Sequence, residues 1–217
     1  MGLHPTALIE DRVIIGENTA VWDHVHIRGP AHIGRDCIIG EKTYIAYDVM
    51  IGDRVKINAF VYICAGVTIE NGVMISAGTV FTNDLYPRAT SPDLATLKGS
   101  EPDEETLETR VREGATVGAR AVIGCDLEIG RFAMVGMGSV VTRSVPDFHL
   151  VLGQPARSVA LLCRCGRPFH KFDGCPPRRL EAIACRRCRR RYEVEDSRVI
   201  EVTSFIEVEA PRVEHAL

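Results

Sequence analysis

The sequence predicts an all-β chain, wound as a parallel β-helix of hexapeptide repeats, with one long loop insertion and a small cysteine-rich lobe at the C-terminus. Three observations predict it. An apolar residue recurs at every sixth position, glycine often follows that residue, and aromatic residues are only 6% of the 217, so the core has to be aliphatic. A helix would need apolar spacings of three and four, which are missing.

Counting in sixes from Leu3 gives Ile9, Ile15, Val21, Ile27, Ile33, Ile39, Ile45, Ile51, Ile57, Ile63, Ile69, Ile75 and Phe81. Two residues before each sits something small or β-branched, such as Ala7, Thr19, Ala31, Cys37, Thr43 or Thr79. The count then fails at Pro87, Asp93, Gly99 and Glu105 and resumes in phase at Val111, Val117, Ile123, Ile129, Val135 and Val141. A sandwich with coincidental spacing would not hold twenty positions in one phase. A strict six implies very short strands joined by tight turns. Glycine after the inward residue (Gly16, Gly34, Gly40, Gly52) is expected to supply the positive φ such turns need. Twenty hexads at three per coil make between six and seven coils. The stack is then about 30 Å tall at the strand spacing of a β-sheet. The period alone leaves the hand of the coil open.

Three segments stand outside the count. Residues 82–110 form an insertion that leaves one corner and returns in phase, and long loops in compact folds usually carry function. Residues 142–162 close the stack, so the helical part is expected over 1–162, with 163–217 as a separate cysteine-rich extension. The composition, 46% apolar and 25% charged, is that of a soluble globular chain, which argues against disorder. No apolar run approaches the roughly 18 residues of a bilayer span. The start, MGLHPTALIEDR, lacks the basic and apolar regions of a secretory signal, so a cytoplasmic location is expected. The net charge of −3 is unevenly spread, because residues 157–192 hold 11 Lys and Arg against 2 Asp and Glu.

The hexads, the loop opening FTNDLYPRA, the re-entry VREGATVGARAVIG and the ending VGMGSVVTRSVPDFHLVLGQPAR resemble those of bacterial nucleotide-sugar N-acetyltransferases. More closely, they are similar to the members that acetylate the 3-amino group of UDP- or dTDP-linked amino sugars. The resemblance covers about residues 3–162. It implies a left-handed β-helix, a homotrimer, acetyl-CoA bound in a groove between neighbouring subunits, and a part in surface glycan synthesis. The resemblance places CoA along the later coils near Gly118, Gly136 and Ser139, with Arg157 meeting a CoA phosphate. Turn geometry accounts equally for the glycines, and a solvated charge for Arg157. Asn83 occupies the position of the loop asparagine that holds the amine in this family. Its amide both donates and accepts, although a turn-forming asparagine is the competing account. Asp84, Tyr86 and Arg88 follow as candidate sugar or phosphate contacts.

No histidine lies between His32 and His149. That leaves His24, His26, His32 and His149, and the resemblance points to His26 as the catalytic candidate, since related enzymes often carry a histidine in an aromatic-rich stretch like VWDHVHI; an exposed or subunit-facing role is the competing account. His26 precedes an inward residue and should point outward. The shortage favours substrate-assisted transfer, in which the amine loses its proton late, to the departing thiolate. It also argues against the zinc-dependent carbonic anhydrase chemistry this fold can carry, which needs three imidazoles on one metal. A non-catalytic β-helix scaffold is the other alternative. Where uronate-acetylating relatives have a Gln-Asn-Asn stretch, this chain has Asn58-Ala59-Phe60, so the sugar and the choice of UDP or dTDP stay open.

The eight cysteines fall into two groups. Cys37, Cys64 and Cys125 lie on the hexads and need only be small and neutral there. Cys163-x-Cys165 and Cys185-x-x-Cys188 are two close pairs separated in the way of a zinc ribbon, which predicts one structural zinc with no open coordination position. Cys175 is a spare that could replace a ligand. The basic run Arg186-Arg187-Cys188-Arg189-Arg190-Arg191 lacks interleaved stacking aromatics, so nucleic acid is not the expected partner. A solvated face, or contact with the acidic EPDEE segment or with nucleotide phosphates, are the readings that remain. The tail RVIEVTSFIEVEAPRVEHAL alternates apolar and polar residues and is expected to give one strand or hairpin.

Overall fold

A computed structural model describes residues 2–99, 102 and 105–202. The hexads become strands of two or three residues, and every third strand stacks on the same face of a three-sided prism. The first face stacks Leu8–Ile9, His26–Ile27, Tyr44–Ile45, Tyr62–Ile63, Val80–Phe81, Val122–Ile123 and Val140–Val141, all parallel. The second stacks Val13–Ile15, Ala31–Ile33, Val49–Ile51, Val67–Ile69, Thr109–Val111 and Leu127–Ile129. The third runs from Ala20–Val21 to His149–Gly153 and ends in two antiparallel strands, Ala156–Leu162 and Pro168–Lys171. No strand of the stack is long enough to hold itself; the column does it, with Ile27 paired to Ile45 and Ile45 to Ile63 across successive coils.

The six-residue beat survives because each aliphatic knob falls inside. Ile27, Ile33, Ile39, Ile45, Ile57, Ile63 and Ile75 have no solvent-exposed surface. The companion column of small residues is equally buried, and its hydroxyls serve the corners. Thr19 Oγ1 donates to the Gly34 carbonyl at 2.8 Å and accepts from the Cys37 N–H at 3.0 Å. Thr43 does the same between Asn58 and Val61. Backbone groups that the short strands leave unpaired are thus satisfied inside the prism.

The corner chemistry differs from the sequence expectation. Gly16, Gly34, Gly40 and Gly52 do not have positive φ. The left-handed positions lie two residues further on, and most carry side chains, among them Asn18, Asp36, Lys42, Asp48 and Phe60 at φ of 56–60°. The glycines are needed for closeness instead. A Cβ on Gly34 would lie 2.5 Å from the carbonyl of Gly52 in the next coil, and one on Gly118 would lie 2.6 Å from the Met137 nitrogen. Asn and Asp tolerate the left-handed region, and the stacked coil holds the rest there.

Beyond the prism, Leu180–Ala184, Arg191–Glu195 and Arg198–Glu201 make an antiparallel sheet of three strands. The turn carrying Cys163 and Cys165 joins the last two strands of the third face, so that sheet continues past residue 162. The lobe packs on the end of the prism through Tyr192, fully buried with Cys163, Cys185 and Phe148, and flanked by Phe132 and Phe169. Among the described residues there is no α-helix, and none long and apolar enough to cross a membrane. Most of the EPDEE segment and the tail from 203 onward lie outside the described residues.

Candidate active site

The insertion folds back over the first face. Its neck is tied by the Leu107 N–H donating to the Asn83 carbonyl at 2.9 Å. Within the loop, Ser91 and Asp93 cap a tight turn, and the Lys98 N–H reaches the Ala89 carbonyl at 3.0 Å. This brings residues 88 and 98 to one wall. Between loop and face lies a cavity of about 560 Å³, whose lining includes Asn83, Asp84, Tyr86 and Arg88 on the loop side and Arg28, Tyr44 and Tyr62 on the prism side. All four loop candidates from the sequence therefore share one cavity. The Asn83 side-chain amide makes no hydrogen bond among the described residues, so both its functions are available to a ligand.

Sequence reasoning missed the prism wall. His26, Tyr44 and Tyr62 stand in register on three successive rungs, 18 residues apart. His26 meets Tyr44 edge-on at 5.4 Å, and Tyr44 and Tyr62 stack at 5.2 Å with an interplanar angle of 7°. Burial raises the Tyr62 phenol. It also pushes the Cys64 thiol, beside it in the cavity, up to about 12, so that thiol stays neutral and is no nucleophile at pH 7. The residue before each inward knob, read every 18 positions, is the signal that finds this wall.

His26 itself does not line the cavity. Its Nε2 lies 2.9 Å from Glu10 Oε1, and the same carboxylate takes the Arg28 Nε and the Gly29 N–H, each at 3.3 Å. The His26 hydrogen bond, followed by those from Gly29 and the charge of Arg28, holds the Glu10 carboxyl below its ordinary range.

The candidate cofactor residues are elsewhere, on the later coils. Gly118 and Gly136 lie directly over one another at one corner. Ser139 is 1% exposed, and its hydroxyl accepts the Gly153 N–H at 3.2 Å, so its side chain is engaged within the chain. Arg157 is exposed, and its guanidinium donates to the Ala156 carbonyl at 2.8 Å. The structure does not bring these four to the loop cavity.

The four lobe cysteines do come together. The Sγ atoms of Cys163, Cys165, Cys185 and Cys188 all lie within 4.8 Å of one another, with Cys163 and Cys188 at 3.2 Å and Cys165 and Cys185 at 3.7 Å. Those separations are far too long for disulfides and are compatible with sulfurs grouped around one metal ion. The Tyr192 hydroxyl donates to Cys163 Sγ at 3.2 Å. Burial raises the Cys185 thiol, but the N–H groups of Cys188 and Arg187 and the neighbouring sulfurs outweigh it and bring it to about 7. Cys175 is exposed and outside the cluster. Among the described residues, no imidazole cluster fit for a metal occurs.

Comparison with known proteins matches this architecture. The bacterial transferase hexapeptide (six repeats) model covers residues 12–46 and 48–83, and the hexapeptide repeat of succinyl-transferase covers 30–65 and 109–143. A dTDP-3-amino-3,6-dideoxy-alpha-D-galactopyranose 3-N-acetyltransferase of Aneurinibacillus thermoaerophilus is 43% identical over 194 residues, 89% of this chain and 91% of that protein. The chain belongs to the hexapeptide-repeat acyltransferases. Serine acetyltransferase of Haemophilus influenzae is 38% identical over 65 residues, 30% of this chain and 24% of that protein. A point mutant of AntD, an N-acyltransferase from Bacillus cereus solved with dTDP-4-amino-4,6-dideoxyglucose and coenzyme A, superposes with a TM-score of 0.59. That match covers 70% of this chain and 84% of AntD at 21% identity. The likeness is one of fold, and the prism is the left-handed β-helix of the hexapeptide-repeat acyltransferases.

Proposed function

We propose that this acyltransferase moves the acetyl group of acetyl-CoA onto the amine of a nucleotide-linked amino sugar, with a dTDP-linked 3-amino sugar as the expected substrate. The observation that carries the reading is the 43% identity across nearly the whole of a dTDP-3-amino-sugar N-acetyltransferase. The cavity at the loop neck supplies a place for the sugar in this chain. Asn83 holds the amine with its side-chain oxygen and turns the nitrogen lone pair toward the thioester. Asp84, Tyr86 and Arg88 contact sugar and phosphate. Gly118 and Gly136 let the pantetheine arm lie against bare backbone, Ser139 braces that corner, and Arg157 meets a CoA phosphate.

The chemistry needs a neutral amine in line with the carbonyl carbon. Holding the two substrates in that geometry supplies much of the rate. The amine nitrogen attacks, the carbon–sulfur bond breaks, and the ammonium proton passes to the departing thiolate, giving amide and CoA thiol. His26, with Nε2 engaged by Glu10, supports the wall from outside the cavity rather than taking the proton. A homotrimer would complete the CoA groove from a second subunit. Four clustered thiols fit one structural zinc, which would tie the lobe together and leave no ligand position for chemistry. Eight cysteines with no disulfide among the described ones suit a reducing compartment, the cytoplasm.

The test is thiol release from acetyl-CoA over a panel of UDP- and dTDP-linked 3-amino and 4-amino sugars. Turnover is expected with a dTDP-3-amino hexose. No turnover with any sugar, together with no binding of CoA, would replace this reading with a non-catalytic scaffold.

A further inference from the structure

The cavity has a cation that the loop motif does not include. Arg28 comes from the prism, one residue past the inward Ile27, and lines the cavity opposite Arg88 and Lys98 of the loop. Its side chain is 33% exposed and held on two sides. The Nε faces Glu10 Oε1 at 3.3 Å, and the guanidinium lies over the Tyr47 ring at 4.8 Å. Glu10 is itself fixed by the Gly29 N–H and by His26. A guanidinium whose Nε is taken and whose centre lies over a ring keeps its terminal N–H groups for a planar or tetrahedral oxyanion.

We propose that Arg28 binds the diphosphate of the nucleotide sugar, and that Glu10 is the positioning residue that aims it. This deepens the function proposed above and rests on it. Three cations line the cavity against the carboxylates of Asp84 and Glu105. Lys98 also pairs with Glu105 at 3.4 Å. Arg88 and Lys98 stand together because the Ser91–Asp93 turn folds the loop back on itself. A diphosphate between the prism and this wall would be gripped from both sides. The amine end of the substrate would then be directed toward the loop neck at Asn83. In this arrangement Arg28 contributes to substrate binding and not to the acyl-transfer step, and Glu10 acts only through Arg28.

The test combines calorimetric titration with dTDP, UDP and inorganic pyrophosphate with steady-state kinetics for wild type, Arg28→Ala, Arg28→Lys and Glu10→Gln. Arg28→Ala is expected to weaken dTDP binding and raise KM for the nucleotide sugar about 10- to 100-fold, leaving kcat and the KM for acetyl-CoA within about threefold. Glu10→Gln, which keeps an acceptor, is expected to shift the same KM about three- to tenfold. Arg28→Lys should recover part of the binding as a point charge. Equal dTDP affinity in wild type and all variants would overturn the proposal and leave the acetyltransferase reading intact. A loss confined to kcat would overturn it as well, by placing Arg28 at the reacting centre. A wild type that binds none of the three probes and turns over no sugar would remove both readings.

Discussion

At the scale of single residues, the site separates by what each side chain has left to offer. Asn83 keeps its amide unpaired at the loop neck, while His26 and Ser139 have polar atoms already engaged. Asn83→Ala is therefore expected to lower kcat/KM by about 100-fold with little change in melting temperature, as for the loss of one positioning hydrogen bond at the reacting centre. His26→Ala should leave the shape of the pH–rate profile unchanged; a profile that loses a limb in this variant would make His26 a base. His149 gives a stability effect. It is 3% exposed, its Nδ1 lies 2.9 Å from Ser158 Oγ, and burial, partly offset by Asp147, lowers it to about 4. Unfolding frees it to titrate near its ordinary value of 6.5. The unfolded chain thus binds more protons between those values, and stability rises with pH there. Thermal melts from pH 4 to pH 7 should show this slope, and His149→Gln should flatten it.

At the scale of elements, the coil is held by closeness between backbones. Gly34 sits where a methyl group would strike the Gly52 carbonyl, so Gly34→Ala must push two coils apart. It should lower the melting temperature more than Ala substitution at an exposed left-handed corner such as Asn18, and denaturant melts of the two variants would rank them. Ile45 is completely buried between Ile27 and Ile63, so Ile45→Ala is expected to cost about 2–5 kcal/mol. The hexad spacing made these strands legible to within a residue, because an inward knob must recur wherever three short strands close one coil. The reason for the glycines was not legible. A residue that must be small and a residue that must turn leave the same letter in a sequence, and only the distance to the next coil separates them.

At the scale of the whole molecule, three pieces meet: prism, loop and lobe. The lobe is pinned by Tyr192 against Phe132 and Phe148 of the closing coil and by Arg164 lying 4.2 Å over the Phe132 ring. One zinc per chain is expected by metal analysis. Chelation, or Cys185→Ser, should lower the melting temperature of the lobe while the far-ultraviolet signal of the prism persists. In solution the protein is expected at three times its 23.9 kDa chain mass, which light scattering would read directly.

The sequence by itself determined the prism, its phase, the place of the insertion and the pairing of four cysteines. Each of these is written as spacing along one chain. The tertiary structure alone decided that Arg28, Tyr44 and Tyr62 face the loop. It also decided that Glu10 meets a residue 18 positions away and that the knuckle of Cys163 and Cys165 extends the prism's own sheet. The physical reason is that a β-helix converts a separation of 18 residues into contact, and side chains that become neighbours only by stacking carry no local signature of the partner they will meet.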